Sequence, residues 1–384
     1  MSSDVIPSAR RRRRGLALLL APVLVLSAAA APGATALAGS CDLVSHTYTA
    51  TATIDDGLTS MFTTYGQEKR WWTGGDSTYS VEVGHRIAWF FSDTLIGKVN
   101  ADGSQAIDQF VNSSIAIQQG NHIVKTVTGG TPSHPTGLVP PVGDSWYWLG
   151  ASHLTADGSS LDVVFLRFER FGPGIWDWGW KENVLGRLDP SSLKVRKVVH
   201  LPSASGVNWG SWISHDGDHT LVYGVEDLGW IKFMHIARVA GDDLTRPWEY
   251  WTGSGWSPNE ADSSQVMYGV ANEYSVAPYG DGYLLVTHDT LELFSRNIVA
   301  YVSCSPTGPF TPIGTLYSTP ETGLFGSYGN ANVFTYNSHE HPELRAGGSL
   351  LVSYNVNSFD NQDLYADSTI YRPRFVRVEL QPQP

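Results

Sequence analysis

Two aspartates stand in one predicted β-hairpin with the residue type and spacing that acid–base chemistry needs. Asp76 precedes the strand STYSVEV, and Asp93 follows the apolar part of the next strand, RIAWFFSDT. Neighbouring strands run roughly 5 Å apart, so we expect the two carboxyl groups to lie close together. Two carboxyl groups this close resist joint ionisation, and one pKa rises to leave an acid beside a base. Hydrolysis of a glycosidic bond needs that arrangement, because one group protonates the leaving oxygen while the other attacks or activates water.

A third acid occupies an equivalent place further along the chain. Glu226 follows Gly217 at the same interval at which Asp93 follows Gly84. We therefore predict a catalytic site of Asp76, Asp93 and Glu226. Asp76 is expected to be the nucleophile or base and Asp93 the acid, with Glu226 as an alternative acid. Residues predicted to reach the same place and bind substrate are Trp72, Asp227, Asn272, Glu273, His341, Asn355, Trp176 and Trp178.

Each of these residues also has a purely structural interpretation. Asp76 follows Gly-Gly and Asp93 stands in Ser-Asp-Thr, where aspartates commonly cap backbone amides. Glu226 and Asp227 could be solvated loop charges, and the tryptophans of GPGIWDWGW could fill the gap between two sheets. The convergence of several acids on one face, rather than any single residue, favours a site. The string HEH at residues 339–341 lacks helical spacing, so we predict no metal site, and no cofactor is expected.

The elements that must position these residues follow a repeat of roughly fifty residues. Apolar residues make up 42 % of the 384-residue chain and aromatic residues 12 %, with 39 glycines, a mixture typical of strands and tight turns rather than helices. Five turns separate pairs of apolar strands: Gly84, Asp157-Gly158, Asp216-Gly217, Asp281-Gly282 and Gly347-Gly348.

Each turn is preceded by a short strand, read as STYSVEV, WLGASHL, GSWISHD, EYSVAPY and HPELRA, and followed by a stronger one. A third strand follows in every unit and a fourth in four of them. The surplus N-terminal segment HTYTATATI can supply the missing strand of the last unit and so remove the exposed sheet edges. The sequence therefore predicts an all-β fold, a five-bladed β-propeller with four-stranded antiparallel blades. A pair of β-sandwiches would not explain the fivefold turn spacing.

The N-terminus carries the pattern of a secretory leader. A run of arginines at residues 10–14 precedes an apolar stretch at residues 15–31, and Ala-Leu-Ala at residues 36–38 offers a cleavage site. We predict a signal peptide over residues 1–38, a single propeller domain over residues 39–384 and a secreted protein with no membrane span. Cys41 could carry a lipid, or it could pair with Cys304 in an oxidising compartment. The net charge of −12 disfavours nucleic acid and anionic membranes as partners.

The string WWTGGDSTYSVEVGHRIAWFFSDTLIG resembles the opening of a family of secreted bacterial propellers catalogued as a domain of unknown function. LVYGVED, WEYWTGSGW and HPEL followed by LLVSYNVNS are similar to later parts of that family. Some members are endo-D-arabinanases, so the resemblance implies a five-bladed fold, a glycan substrate and catalysis by Asp76 and Asp93. Ser77 and the serine before Asp93 depart from the usual family residues, although both acids are present.

Two functions follow from these patterns. One is a secreted glycoside hydrolase that cuts within a furanoside cell-wall polysaccharide such as D-arabinan. The other is a non-catalytic propeller that binds carbohydrate at the cell surface, which needs the aromatic residues but no pair of acids. A polysaccharide is the expected partner in both.

Overall fold

The computed structural model describes residues 41–68, 71–174 and 177–383, so the predicted leader lies outside the described residues. The described chain opens with a 3-10 turn (Asp42–Ser45), strand β1 (Thr47–Ile54) and helix α1 (Asp56–Glu68). Five antiparallel sheets follow around a ring, as the repeat predicts. Among the described residues, no helix has the length and apolar character to cross a membrane.

The first two blades hold the elements that carry the predicted aspartates and the aromatic loop. Blade I consists of β2 (Trp71–Val83), β3 (Arg86–Val99), β4 (Gln105–Val111), β5 (Ser114–Gln119) and β6 (His122–Val127). A small hairpin, β7 (Gly129–Thr131) and β8 (His134–Thr136), leads to the next blade. Blade II consists of β9 (Ser145–Leu154), β10 (Leu161–Arg170), β11 (Trp178–Leu188) and β12 (Val195–His200).

Blade III consists of β13 (Asn208–Asp216), β14 (His219–Asp227), β15 (Lys232–Ala240), β16 (Trp248–Trp251), β17 (Trp256–Ser257) and β18 (Met267–Tyr268). A 3-10 turn (Glu260–Asp262) lies between its last two strands. Blade IV consists of β19 (Tyr274–Tyr279), β20 (Gly282–His288), β21 (Asn297–Ser303) and β22 (Thr311–Ser318). Blade V is built from β23 (Val333–Glu340), β24 (Leu350–Ser358) and β25 (Pro373–Gln383), with helix α2 (Asn361–Ala366) inserted before β25.

The ring closes through the two ends of the chain. β1 pairs antiparallel with β25 from Thr47↔Gln383 to Ile54↔Val376 and is the outermost strand of blade V. A disulfide joins Cys41 to Cys304 at the end of β21, which fixes the segment before β1 to blade IV. The predicted role of HTYTATATI is therefore confirmed.

Two predicted features of secondary structure are wrong. HPELRA is not the first strand of blade V. It forms a 3-10 turn (Pro342–Leu344) after β23 has ended, because a proline cannot donate the next ladder hydrogen bond. The composition argument also misses α1, whose Met61, Phe62 and Tyr65 are buried in one core cluster with Trp72 and other aromatic residues of blades I and V. That apolar stripe has the i, i+4 spacing of an amphipathic helix.

Candidate active site

A cavity of about 450 Å³ lies where the five blades meet. Its walls contain residues from the inner strands of blades I, II, III and V, from the segment just before the inner strand of blade IV, and from the loops that follow the second strands of blades III and IV. The polar and charged residues that border it include Asp76, Ser77, Ser92, Asp227, Asn272, Glu273, His288, Asp289 and Tyr336. Most of the remaining wall is apolar, which gives the few polar groups a weakly screened environment.

Asp76 is held at this cavity by an irregular section of β2. The pairing of β2 with β3 shifts register between Trp72 and Gly74 and again on both sides of Ser77. Ser77 and Thr78 have φ angles of 75° and 69°, in the left-handed region that a β-branched residue such as threonine rarely adopts. Gly74 permits the bend because an added Cβ would lie 2.4 Å from the backbone oxygen of Tyr371.

Backbone strain of this kind is concentrated around the cavity. Besides Ser77 and Thr78, the described non-glycine residues with positive φ include Phe294 and Asn337, which border the cavity, and Tyr371, which contacts Asp76. Such conformations cost free energy and persist where the surrounding packing enforces them, which is common at functional sites.

The carboxyl group of Asp76 is buried and bonded to two phenols. The hydroxyl groups of Tyr336 and Tyr371 donate to Asp76 Oδ2 at 2.6 Å and 3.0 Å. Asp76 Oδ1 is buried and has no hydrogen-bond partner among the described residues. Burial raises the pKa of Asp76 to about 6, and the two phenol hydrogen bonds lower it in part. Asp76 is thus mostly an anion at neutral pH, and its Oδ1 is a buried acceptor without a partner beside the cavity.

Asp93 lies beside Asp76 on β3 and faces away from the central cavity. Its Oδ1 accepts hydrogen bonds from Asn112 Nδ2 at 2.8 Å and from Trp148 Nε1 at 2.7 Å. Burial, followed by repulsion from Asp76, raises the pKa of Asp93 to about 7. Asp76 and Asp93 are thus close enough to repel each other, and the pKa of Asp93 is raised, as the sequence predicts. Asp93 borders a second cavity of about 380 Å³ instead.

Glu273 is a second buried carboxyl group that borders the central cavity. Ser77 Oγ donates to Glu273 Oε1 at 2.6 Å, and Oε2 lies 3.7 Å from His339 Nδ1. Burial raises the pKa of Glu273 well above its usual value, and repulsion from Asp76 adds to the rise. Burial also lowers the pKa of His339 to about 4, so this imidazole is neutral and does not hold Glu273 ionised. Burial therefore favours the protonated form of Glu273.

Aromatic side chains form one wall of the cavity. Trp148 and Trp178 border it and lie edge to face, with ring centroids 5.3 Å apart. Phe168, also a lining residue, packs on both of them, and Trp146 packs behind. Flat apolar faces of this kind stack on the C–H faces of sugar rings. Trp176, which was predicted to act with Trp178, lies outside the described residues.

Two other predicted residues reach the cavity together. Asp227 and Asn272 both border it, and Asn272 Nδ2 donates to Asp227 Oδ2 at 2.8 Å. Lys232 bonds the other oxygen of Asp227. Glu226 lies one residue earlier on the same strand and therefore on its other face, where Gln265 Nε2 donates to Glu226 Oε2 at 2.7 Å. Glu226 does not border the cavity.

The remaining predicted residues are buried away from the cavity. Trp72 packs under α1 in an aromatic core, in contact with Phe62 and Phe91. His341 follows β23 at the opposite end of the inner strand, and its ring nitrogens bond serine hydroxyl groups. Asn355 Nδ2 donates to Thr78 Oγ1 at 2.9 Å and so supports the strained section of β2.

The comparisons with known proteins identify a family and a fold. A family model described as "Domain of unknown function (DUF5005)" matches residues 59–380. The chain belongs to this family. The match agrees with the family type inferred from the opening string, although its description contains no arabinanase activity. No curated protein matches the chain.

Among solved structures, this DUF5005 chain is similar to a candidate hydrolase from Bacteroides ovatus, with a TM-score of 0.70 and 20% identity over 86% of this chain and 90% of that one. An α-L-arabinofuranosidase from Podospora anserina matches at a TM-score of 0.49 and 11% identity, over 82% and 93%. The catalytic domain of an α-L-arabinofuranosidase from Coprinopsis cinerea matches at 0.49 and 12%, over 80% and 91%. The first likeness shows the fold, and the other two are too distant to support an argument.

Sequence reasoning missed the two phenols of this DUF5005 site. Tyr336 and Tyr371 come from blade V, whose first strand was placed too late, so neither could be assigned to the mouth of the ring. Tyr371 also has a φ of 72°, which no local residue pattern indicates. Among the described residues there is no group of three or more His, Cys, Asp or Glu side chains that could hold a metal ion.

Proposed function

We propose that this protein is a glycoside hydrolase that cuts within a furanoside cell-wall polysaccharide such as D-arabinan. One observation carries the proposal. Two buried carboxyl groups, Asp76 and Glu273, border the same cavity beside a wall of tryptophans, and burial raises the pKa of Asp76 to about 6 and that of Glu273 well above its usual value. Glycosidic bond cleavage needs an acid, a carboxylate and a surface on which sugar rings stack.

The protonation states suggest how the work is divided. Burial favours the protonated form of Glu273, which is suited to protonate the leaving glycosidic oxygen. Asp76 is ionised and has an unpartnered oxygen, so it is suited to attack the anomeric carbon or to take a proton from water. Asp93 is suited to tune Asp76 from behind, because the charge of each aspartate opposes the ionisation of the other. This assigns the acid to Glu273 rather than to Asp93, since Asp93 borders the other cavity.

Independent observations support the substrate class. The fold is shared with a candidate hydrolase from Bacteroides ovatus. The opening string resembles propellers that include endo-D-arabinanases, which favours a furanoside polymer. The leader pattern of residues 1–38 and the disulfide between Cys41 and Cys304 favour export, because disulfides persist mainly in oxidising compartments.

Hydrolysis of purified arabinan and arabinogalactan, followed by reducing-end detection and chromatography, tests the proposal. Glu273→Gln and Asp76→Asn should each lower the rate by about 10²–10⁴-fold, the usual worth of one positioned acid or base. Glu226→Gln is the matched control, because Glu226 lies on the far face of β14, and it should cut at the wild-type rate. Equal activity of Glu273→Gln and wild type would refute the assignment of the acid.

The aromatic wall by itself also suits a protein that binds carbohydrate without cutting it. That function predicts binding across glycans with no new reducing ends. It also predicts that Trp178→Ala weakens binding, whereas Glu273→Gln leaves it unchanged. Release of oligosaccharides by the wild type excludes this alternative.

A further inference from the structure

The second cavity lies on the other side of the aspartate pair, between blades I and V. Its volume is about 380 Å³, within the range of pockets that hold small ligands. Its walls come from β3, β4, β24, α2 and the segment before β25. The lining residues are Asp93, Leu95, Ile107, Phe110, Asn357, Asn361, Leu364, Tyr365 and Tyr371.

Polar groups in this cavity are placed to receive hydroxyl groups. Asp93 Oδ1 is occupied by Asn112 and Trp148, whereas no hydrogen bond among the described residues engages Asp93 Oδ2. Asn361 is exposed on the first turn of α2, with its amide next to the opening. A carboxyl group and an amide together offer both acceptors and donors, as sugar hydroxyl groups require.

Apolar groups occupy the rest of the wall. Phe110 is 52% exposed and Tyr365 is 40% exposed, although both are large aromatic residues that normally lose most of their surface on folding. Leu95 and Leu364 are buried beneath them. The cavity therefore combines accessible aromatic faces with a carboxyl group and an amide, which is a combination suited to a sugar ring.

The two cavities are separated by the residues of the candidate active site. Tyr371 borders the second cavity, yet its hydroxyl group donates to Asp76 in the first. Asn357 borders the second cavity and donates to Tyr336, which borders the first. A linear chain that fills the central cavity cannot pass through this partition, so a sugar in the second cavity must belong to a different part of the glycan.

We propose that the second cavity binds one sugar residue on a branch of the polysaccharide whose main chain is cut in the central cavity. This inference rests on the proposed function for its choice of glycan. Phe110 and Tyr365 stack on the sugar ring, while Asp93 and Asn361 bond its hydroxyl groups. The protein then prefers branched over linear substrate.

Kinetics on branched and linear arabinan oligosaccharides of equal length test this preference. Phe110→Ala and Tyr365→Ala should each lower kcat/KM on the branched substrate by about tenfold, as expected for the loss of one aromatic stacking contact, and leave the linear substrate unchanged. Val198→Ala is the control, because it removes an exposed apolar side chain from β12, remote from both cavities. Equal losses on both substrates, or no loss on either, would overturn the proposal.

A binding experiment separates this inference from the proposed function. Methyl arabinofuranoside is titrated into Glu273→Gln and into the double variant with Phe110→Ala, with saturation-transfer NMR as the readout. If Glu273→Gln binds methyl arabinofuranoside and the double variant does not, the result supports the second site even if the wild type cuts no arabinan. Intact hydrolysis with binding that Phe110→Ala leaves unchanged rejects the second site and retains the hydrolase. Thermal unfolding midpoints within a few degrees of wild type establish that the variants are folded.

Discussion

Asp93→Asn should raise the free energy of unfolding relative to the wild type. This gain should be larger at pH 8 than at pH 4. The substitution keeps the shape of the side chain, and its amide oxygen can still accept hydrogen bonds from Asn112 and Trp148. What it removes is a carboxyl group that the fold prefers to keep neutral, because burial and the charge of Asp76 oppose its ionisation.

The magnitude follows from the pKa. In the unfolded chain Asp93 ionises near its usual value of 3.8, whereas in the folded protein its pKa is about 7. Between these values the folded state binds more protons than the unfolded state, so the free energy of unfolding falls as pH rises. At about 1.4 kcal/mol per pKa unit the loss approaches ~4 kcal/mol. Asp93 borders a water-accessible cavity, so we expect about 2–4 kcal/mol after solvent screening.

Urea unfolding of wild type and Asp93→Asn at pH 4, 6 and 8, followed by tryptophan fluorescence, measures this difference. The two proteins should have similar midpoints at pH 4, and the variant should gain stability progressively up to pH 8. Asp144→Asn serves as the control, because Asp144 is exposed in the loop before β9. A difference between wild type and Asp93→Asn that stays constant within about 0.5 kcal/mol across this range would contradict a neutral, buried Asp93.

Three further predictions concern the phenols, the bend in β2 and the ring closure. Tyr336→Phe removes the 2.6 Å hydrogen bond to Asp76, so the pKa of Asp76 should rise. The acid limb of the pH profile of kcat/KM should then move up by about one pH unit from near pH 6. An acid limb that does not move would exclude Asp76 as the titrating base. Gly74→Ala should destabilise the protein by about 1–3 kcal/mol in urea unfolding, since its methyl group would collide with the oxygen of Tyr371; an unchanged midpoint would show that β2 can relax. Cys304→Ser removes the disulfide and should lower the free energy of unfolding by about 2–4 kcal/mol. Reductant should not destabilise this variant further, whereas it should lower the free energy of unfolding of the wild type to that of the variant.

The sequence was sufficient for the architecture because the turns carry their own signals. A glycine or Asp-Gly turn separates the first two strands in four of the blades as predicted, and the alternating segment HTYTATATI indicated the closing strand. In blade V the Gly347-Gly348 turn also lies between the first two strands, but the first strand was misplaced because HPELRA, which contains the 3-10 turn Pro342–Leu344, was taken for that strand. Helix α1 was missed because composition was averaged over the chain, although the apolar spacing around Phe62 is local.

The site was predictable to the level of strands and not of side chains. Asp76 and Asp93 lie on neighbouring strands as expected, but which cavity each carboxyl group borders depends on three register shifts in β2 that have no sequence signature. Asp93 and Glu226, which were predicted to occupy equivalent ends of second strands, both lie outside the wall of the central cavity. Because strand residues alternate between faces, Asp227 takes the place that was expected of Glu226. Glu273 was predicted to bind substrate, and its burial, which only packing reveals, makes it a candidate acid.

The pairing of β1 with β25 also sets the order of events during synthesis. β1 is among the first described strands to leave the ribosome, and its partner is the last. At about 5–20 residues per second, β1 waits on the order of tens of seconds before blade V can close. Its sequence TYTATATI alternates threonine with tyrosine, alanine or isoleucine, so every other side chain is polar and little apolar surface is exposed to other chains during that time. Without β25, both β1 and the outer edge of β24 have no partner in the order β1-β25-β24-β23, so loss of this one strand exposes two strand edges to other chains.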